Sequence, residues 1–236
     1  MNGLGEILFG PLGNSLSIIA LGLKILGALI MCCALPLLGR RSEVGWWLAI
    51  GSFSMFLLAG TFAVPLDFLS SAVLVTLYVA GSWAPPLVGI AVCFYGLLAF
   101  RKAPATTLLT REILLRRFQA TDIVGPAIIA LIFAGATLIP ALVLNFSMSA
   151  ANLSLPLTAM FVGGAVQGLL PAGLVGLAHG SRWAWFLIAG AALVSIAGTT
   201  MAAQGSVLIF LYLAQAVLAV YAWGRWGGLT EQPARP

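Results

Sequence analysis

The sequence predicts an all-α integral membrane protein. Seven transmembrane helices are expected in a 3+1+3 arrangement, two parallel triple-helix repeats joined by one helix, with an extra apolar segment near 65–81. Three observations carry that prediction. The chain is 61% hydrophobic and only 7% charged, with a mean hydropathy of +1.10, whereas a soluble domain has about a quarter of its residues charged. Apolar runs recur at 14–39, 46–64, 83–101, 122–145, 155–178, 183–203 and 205–225, each about long enough to cross ~30 Å of hydrocarbon as a helix. The first three runs and the last three also end in matching sequence. None of the runs keeps the long period-2 alternation that a transmembrane barrel needs, so helices are left to satisfy the backbone in lipid.

Residues 1–13 contain Glu6 but neither Lys nor Arg. A cleaved secretory signal begins with a basic stretch, so the first apolar run is predicted to stay in the mature protein. The segment 65–81, PLDFLSSAVLVTLYVAG, reads either as an eighth span or as an addition to the second. Charge decides between these. Every basic residue except Lys24 lies outside the apolar runs or at the last residue of one: Arg40, Arg41, Arg101, Lys102, Arg111, Arg116, Arg117, Arg182, Arg225 and Arg235. With seven crossings all of them face one side, as the positive-inside rule requires, whereas an eighth would strand Arg40 and Arg41 on the other. The N-terminus is therefore expected outside and the C-terminus in the cytoplasm, with 65–81 a kinked, re-entrant or outer-surface piece entered through Pro65.

The same topology accounts for the net charge of +5 without nucleic acid as a partner. Basic residues retained on the cytoplasmic side meet anionic membrane lipids there. The connection 102–121 is the one long polar stretch, and it reads either as a topology-setting linker or as a short amphipathic helix on the membrane surface. The chain divides accordingly into one membrane domain, 1–236: a first triplet at 14–101, the linker 102–121, a linking helix at 122–145, a second triplet at 155–226 and a tail at 227–236.

The repeat is legible in words. LLGRRSEVGWWLAIGSFSMFLLAG runs from a basic turn through paired tryptophans into the second helix, and FYGLLAFRK closes the third. In the second half, LAHGSRWAWFLIAGAALVSIAG and then VYAWGRW keep the same order. A single helix between two triplets preserves their orientation, and parallel repeats with a site between them near the midplane are a recurring transporter plan.

Polar side chains deep in a bilayer need a reason, since a central charge costs ~2.5–3.5 kcal/mol on insertion scales. Lys24, Gln167 and Gln215 lie near the middles of the first, fifth and seventh runs. Lys24 precedes Arg40 by about the stretch that separates Gln167 from Arg182, which puts the two in nearly equivalent places. Together they are candidates to hold a small hydrogen-bonding solute. The plainer alternatives are glutamines that bridge helices and a lysine that snorkels outward or pairs with Asp67. Trp46, Trp47, Trp183, Trp185, Trp223 and Trp226 fall at cytoplasmic helix ends, as an interfacial aromatic belt does. Tyr95 and Tyr212 lie deeper, where each hydroxyl needs a partner or a ligand.

The basic turn, WW or W-x-W, a small-residue helix and a Y-x-W or YG ending together resemble the bacterial nicotinamide riboside transporters of the PnuC type. The resemblance covers roughly 14–101 and 155–226 and is better in the second triplet, in FVGGAVQGLL, SRWAWFLIAG and YAWGRW. It implies a SWEET-like 3+1+3 fold in a bacterial inner membrane and facilitated passage of a vitamin or nucleoside-like solute such as nicotinamide riboside. It further implies alternating access between the triplets and trapping of the solute inside the cell. Under the resemblance Trp185 lies near the family's ligand-stacking aromatics, so a substrate set of Gln167, Gln215, Lys24, Trp185, Tyr212 and Tyr95 is expected. The family's Asn or Asp after the tryptophan pair is replaced here by Ala189, Gly190 and Ala191.

Enzymatic readings find little support. His179 is the single histidine, the six acids are scattered at helix ends, and Cys32, Cys33 and Cys93 form neither a metal-ligand spacing nor a disulfide framework. No catalytic residue, metal or cofactor is predicted, and a homo-oligomer is left open. The alternative from another class is an accessory subunit of a larger membrane complex. That reading requires no common cavity for Lys24, Gln167 and Gln215.

Overall fold

The computed structural model describes residues 15–62, 72–102, 157–201 and 205–228, with single positions between 128 and 142. These residues form α1 (Ser15–Gly39), α2 (Glu43–Phe62), α3 (Ala72–Lys102), α4 (Leu157–Ala178), α5 (Ala184–Met201) and α6 (Ser206–Gly228). No strand occurs among the described residues. Among the described residues five stretches are long and apolar enough to cross a membrane: Ile18–Gly39, Glu43–Phe62, Ser82–Arg101, Ala184–Met201 and Ser206–Trp226. Large apolar side chains such as Leu26, Leu193, Phe210 and Val217 face outward, so the helices are apolar all round, as spans buried in protein on one side and lipid on the other must be.

The six helices close into a ring. Each packs on its neighbours in sequence, α1 on α2 through to α6, α4 follows α3 across the long connection, and α6 returns to α1. Side chains seal the returning seam: Gln215 Nε2 donates to the Ala28 carbonyl at 3.0 Å, and Trp226 Nε1 to the Gly39 carbonyl at 2.9 Å. Glycine sets the depth of the α2–α3 packing. A methyl group at Gly96 would fall 2.3 Å from the Trp46 ring, and one at Gly89 2.4 Å from Phe53, so both rings sit directly against bare backbone.

The two basic turns are built alike. Arg40 N–H bonds to the Pro36 carbonyl, Arg41 N–H to Leu38 and Ser42 N–H to Leu37; His179, Gly180 and Ser181 repeat the pattern onto Val175, Leu177 and Gly176. Arg41 and Gly180 both take positive φ, 55° and 78°, the left-handed residue that ends many helices. The next helix then starts and buries its first tryptophan, Trp46 in one half and Trp185 in the other. This register corrects one expectation: it aligns Lys24 with Gly163 and Gln167 with Ala28, so the two polar residues lie a helical turn apart in the repeat.

Contacts gather the described basic residues, Lys24 excepted, at one end of the ring. Arg101, closing α3, pairs with Glu43 at the start of α2. Arg182 Nε donates to the Trp223 carbonyl at 3.2 Å, its guanidinium 4.2 Å from the Trp223 ring, and Arg41 lies 4.6 Å from the Trp226 ring. Relative to this basic end, α1, α3, α4 and α6 run toward it and α2 and α5 away.

Residues 72–81, expected in a separate segment, instead continue α3 without a break. The apolar stretch before Gly81 contains no proline, so nothing interrupts the helix there, and at 31 residues α3 is about 46 Å long at 1.5 Å per residue. It overshoots ~30 Å of hydrocarbon and adds no crossing. Residues 65–71 lie outside the described residues, as does most of the expected linking helix 122–145. Of that stretch Ile128, Ile132, Gly135, Ile139 and Leu142 are described, all helical, with the three isoleucines exposed.

Candidate functional site

Inside the ring the two ends differ. Toward the basic end the interior is filled by Leu35, Leu38, Trp46, Leu97, Leu174, Trp185 and Trp226. Away from it lies a cavity of about 300 Å³ to which all six helices contribute. Lys24 and Met31 come from α1, Phe53 and Phe56 from α2, Ser82, Pro85 and Pro86 from α3, Leu170 from α4, Ile188, Ala191, Ala192 and Ser195 from α5, and Tyr212 and Gln215 from α6. The volume falls at the lower end of what small-ligand sites occupy, roughly 300–1,000 Å³, and a mostly apolar wall with a few polar groups is their usual make-up.

The shape follows from residue size. Small residues on α5, Ala191 and Ala192, leave room opposite the bulky Phe53 and Phe56 of α2. Pro85 and Pro86 stand inside α3, where neither ring nitrogen can donate to the residue four before it. The Ser82 carbonyl thereby loses its helical donor beside the cavity. Ser195 Oγ is engaged within α5, donating to the Ala191 carbonyl at 2.8 Å.

Three predicted residues meet in this cavity: Lys24, Tyr212 and Gln215. Gln215 is 7% exposed and holds the α1–α6 seam through its amide nitrogen, which bonds the Ala28 carbonyl and the Cys32 side chain of α1, leaving its carbonyl for other partners. Lys24 is half-buried and makes no ion pair or hydrogen bond among the described residues. The Gln167 side chain lies outside the described residues, although its backbone belongs to α4.

Trp185 and Tyr95 stand apart from the cavity. Trp185 is wholly buried in the filled half, edge-on to Trp226 with ring centroids 5.8 Å apart. Its place corresponds to Trp46 of the other half, so both tryptophans are core residues at the same point of a repeated turn. Tyr95 is exposed at the basic end, where its hydroxyl shares a 3.0 Å hydrogen bond with His179 Nε2 across the α3–α4 seam. The aromatic faces that do line the cavity, Phe53 and Phe56, were missed from sequence because phenylalanine in an apolar span carries no distinguishing signal. The paired prolines at 85–86 were the visible clue.

The tryptophans at the basic end divide in the same way. Trp47 and Trp183 are exposed, as an interfacial belt requires, whereas Trp46, Trp185 and Trp226 point into the core. A second cavity of about 30 Å³ among Arg41, Trp46, Phe100 and Trp226 has room for little more than a water molecule. Burial there works against the Arg41 charge and lowers its pKa from the usual arginine value.

No family model and no curated protein matches the chain. The fold, however, is similar to that in a crystal structure of the vitamin B3 transporter PnuC, with a TM-score of 0.50, 16% identity and 94% of each chain covered. At that identity the likeness is one of architecture. The chain has a PnuC-like fold.

Proposed function

We propose that this chain is a membrane transporter, a facilitator for a small water-soluble solute of vitamin-like or nucleoside-like chemistry. One observation carries the reading: a cavity to which all six described helices contribute holds Lys24, Tyr212 and Gln215 together in a mostly apolar ring. A packing subunit has no need of such a space, and an unfilled interior costs stability in proportion to its volume. The PnuC-like architecture supports the same reading, and nicotinamide riboside is the first solute that the resemblance puts to the test.

In this account Gln215, Tyr212 and Lys24 hydrogen-bond the solute. Phe53 and Phe56 enclose a flat ring, the part first expected of Trp185. By the positive-inside rule the basic end faces the cytoplasm. The filled half then closes the cavity toward the cytoplasm, and access is from outside. Passage requires the triplets α1–α3 and α4–α6 to rock so that this core parts, with the seams α3–α4 and α6–α1 sliding as they do so. A seventh helix completes the 3+1+3 plan: α3 ends at the basic end and α4 runs toward it, so the chain between them must return across the membrane.

The test is ligand-dependent thermal stabilisation of the purified protein against nicotinamide riboside, thiamine, nucleosides, sugars and the small monocarboxylate pyridine-3-carboxylate. A saturable upward shift with one compound, lost when Ala191→Trp fills the cavity, is the expected outcome. A stable protein that none of these compounds shifts favours the accessory-subunit reading.

A further inference from the structure

We infer that the central cavity selects its solute by charge, taking a small monocarboxylate in preference to a cation of the same size. This deepens the reading of the cavity as a solute site and rests on it.

The inference starts from what the walls lack. Among the described residues that line the cavity, Lys24 is the only Lys, Arg, Asp or Glu. Glu43 is the one carboxylate among the described residues, and it is paired with Arg101 at the opposite, basic end. Lys24 itself has neither ion pair nor hydrogen bond among the described residues. An ammonium on the wall of a largely apolar space is a charge with no counter-ion among the described residues, and a ligand carboxylate supplies one.

The remaining walls fit a flat acid. Phe53 and Phe56 offer ring faces to an aromatic or alicyclic body. The Tyr212 hydroxyl is a donor available to a carboxylate oxygen. Phenylalanine faces attract cations weakly through their quadrupole. A full positive charge in the same low-dielectric space outweighs them. Nicotinamide riboside bears a permanent pyridinium charge, so within the solute class the cavity is set against the cationic members.

A matched set of ligands tests this on the full chain reconstituted in liposomes. Pyridine-3-carboxylate, pyridine-3-carboxamide and N-methylpyridinium-3-carboxamide share one ring and differ in charge; nicotinamide riboside is added as a larger cation, and empty liposomes correct for passive entry. The expected result is saturable uptake of the carboxylate with an apparent affinity at least about tenfold above that for either cation. That preference is expected to vanish in Lys24→Gln and to persist in Lys24→Arg. The wild-type ranking decides by itself if a variant does not fold. Uptake of the amide or of a cation at equal or higher affinity overturns charge selection and leaves the transport reading standing. A carboxylate preference unchanged in a folded Lys24→Gln protein overturns the role given to Lys24. Absence of saturable uptake for all four solutes overturns both.

Discussion

Trp226 shows why an apolar segment ends in aromatics and an arginine. Its indole N–H closes the open carbonyl of Gly39 at the end of α1, one of the backbone acceptors every helix terminus leaves without a partner. The ring at the same time carries the Arg41 guanidinium on its face. Replacing it by Phe keeps a ring but leaves a buried acceptor unmade. Trp226→Phe is expected to lose about 1–3 kcal/mol, measured as thermal unfolding of the purified protein. Gly180 makes a complementary case at the second turn. Its φ of 78° is one that an L side chain enters at a cost of roughly 1–2 kcal/mol, and Gly180→Ala is expected to lower stability by about that amount in the same measurement. The first turn accepts a non-glycine residue at the equivalent place, Arg41, whose side chain is tied down by its stack on Trp226.

Between helices, the α2–α3 pair is governed by two rings pressed against glycine. Trp46 on Gly96 and Phe53 on Gly89 leave no space for even a methyl group, so Gly96→Ala is expected to force the helices apart and cost about 1–3 kcal/mol as overpacking does. Gly89→Ala is expected to do the same, and to move Phe53, a cavity wall, so it should weaken solute binding as well as stability. Thermal unfolding and ligand titration separate the two effects. Elements were largely legible from the apolar runs, because a span in lipid must be long and apolar whatever it packs against. The exception is instructive. Residues 72–81 read as part of a separate piece entered through Pro65, yet they begin α3, which also runs through Gly81 and the Pro85–Pro86 pair. Prolines within an apolar helix are tolerated in membranes when neighbouring groups satisfy the freed backbone. Of the cavity lining, Lys24, Tyr212 and Gln215 were legible as candidates because polar groups in mid-span are few. Trp185 misled because the same residue type serves belt, stack and core, and only the packing of Trp185 on Trp226 tells them apart.

At the scale of the whole molecule, the basic end is filled and the opposite half is hollow. The positive-inside rule turns that asymmetry into a statement about access. In a chain whose Cys32, Cys33 and Cys93 are replaced by Ala, a cysteine at Ser82, beside the cavity, is expected to react with a membrane-impermeant maleimide added outside intact cells. A cysteine at Arg225, at the exposed basic end, is expected to react only after the membrane is opened. Labelling in the reverse order would invert the topology. The central claim is that the cavity is a passage for solute, and uptake into proteoliposomes of the compound that stabilises the purified protein tests it most directly. Saturable uptake by the wild type that falls to the empty-liposome level in a folded Ala191→Trp protein is the expected result; uptake undiminished by filling the cavity would contradict it.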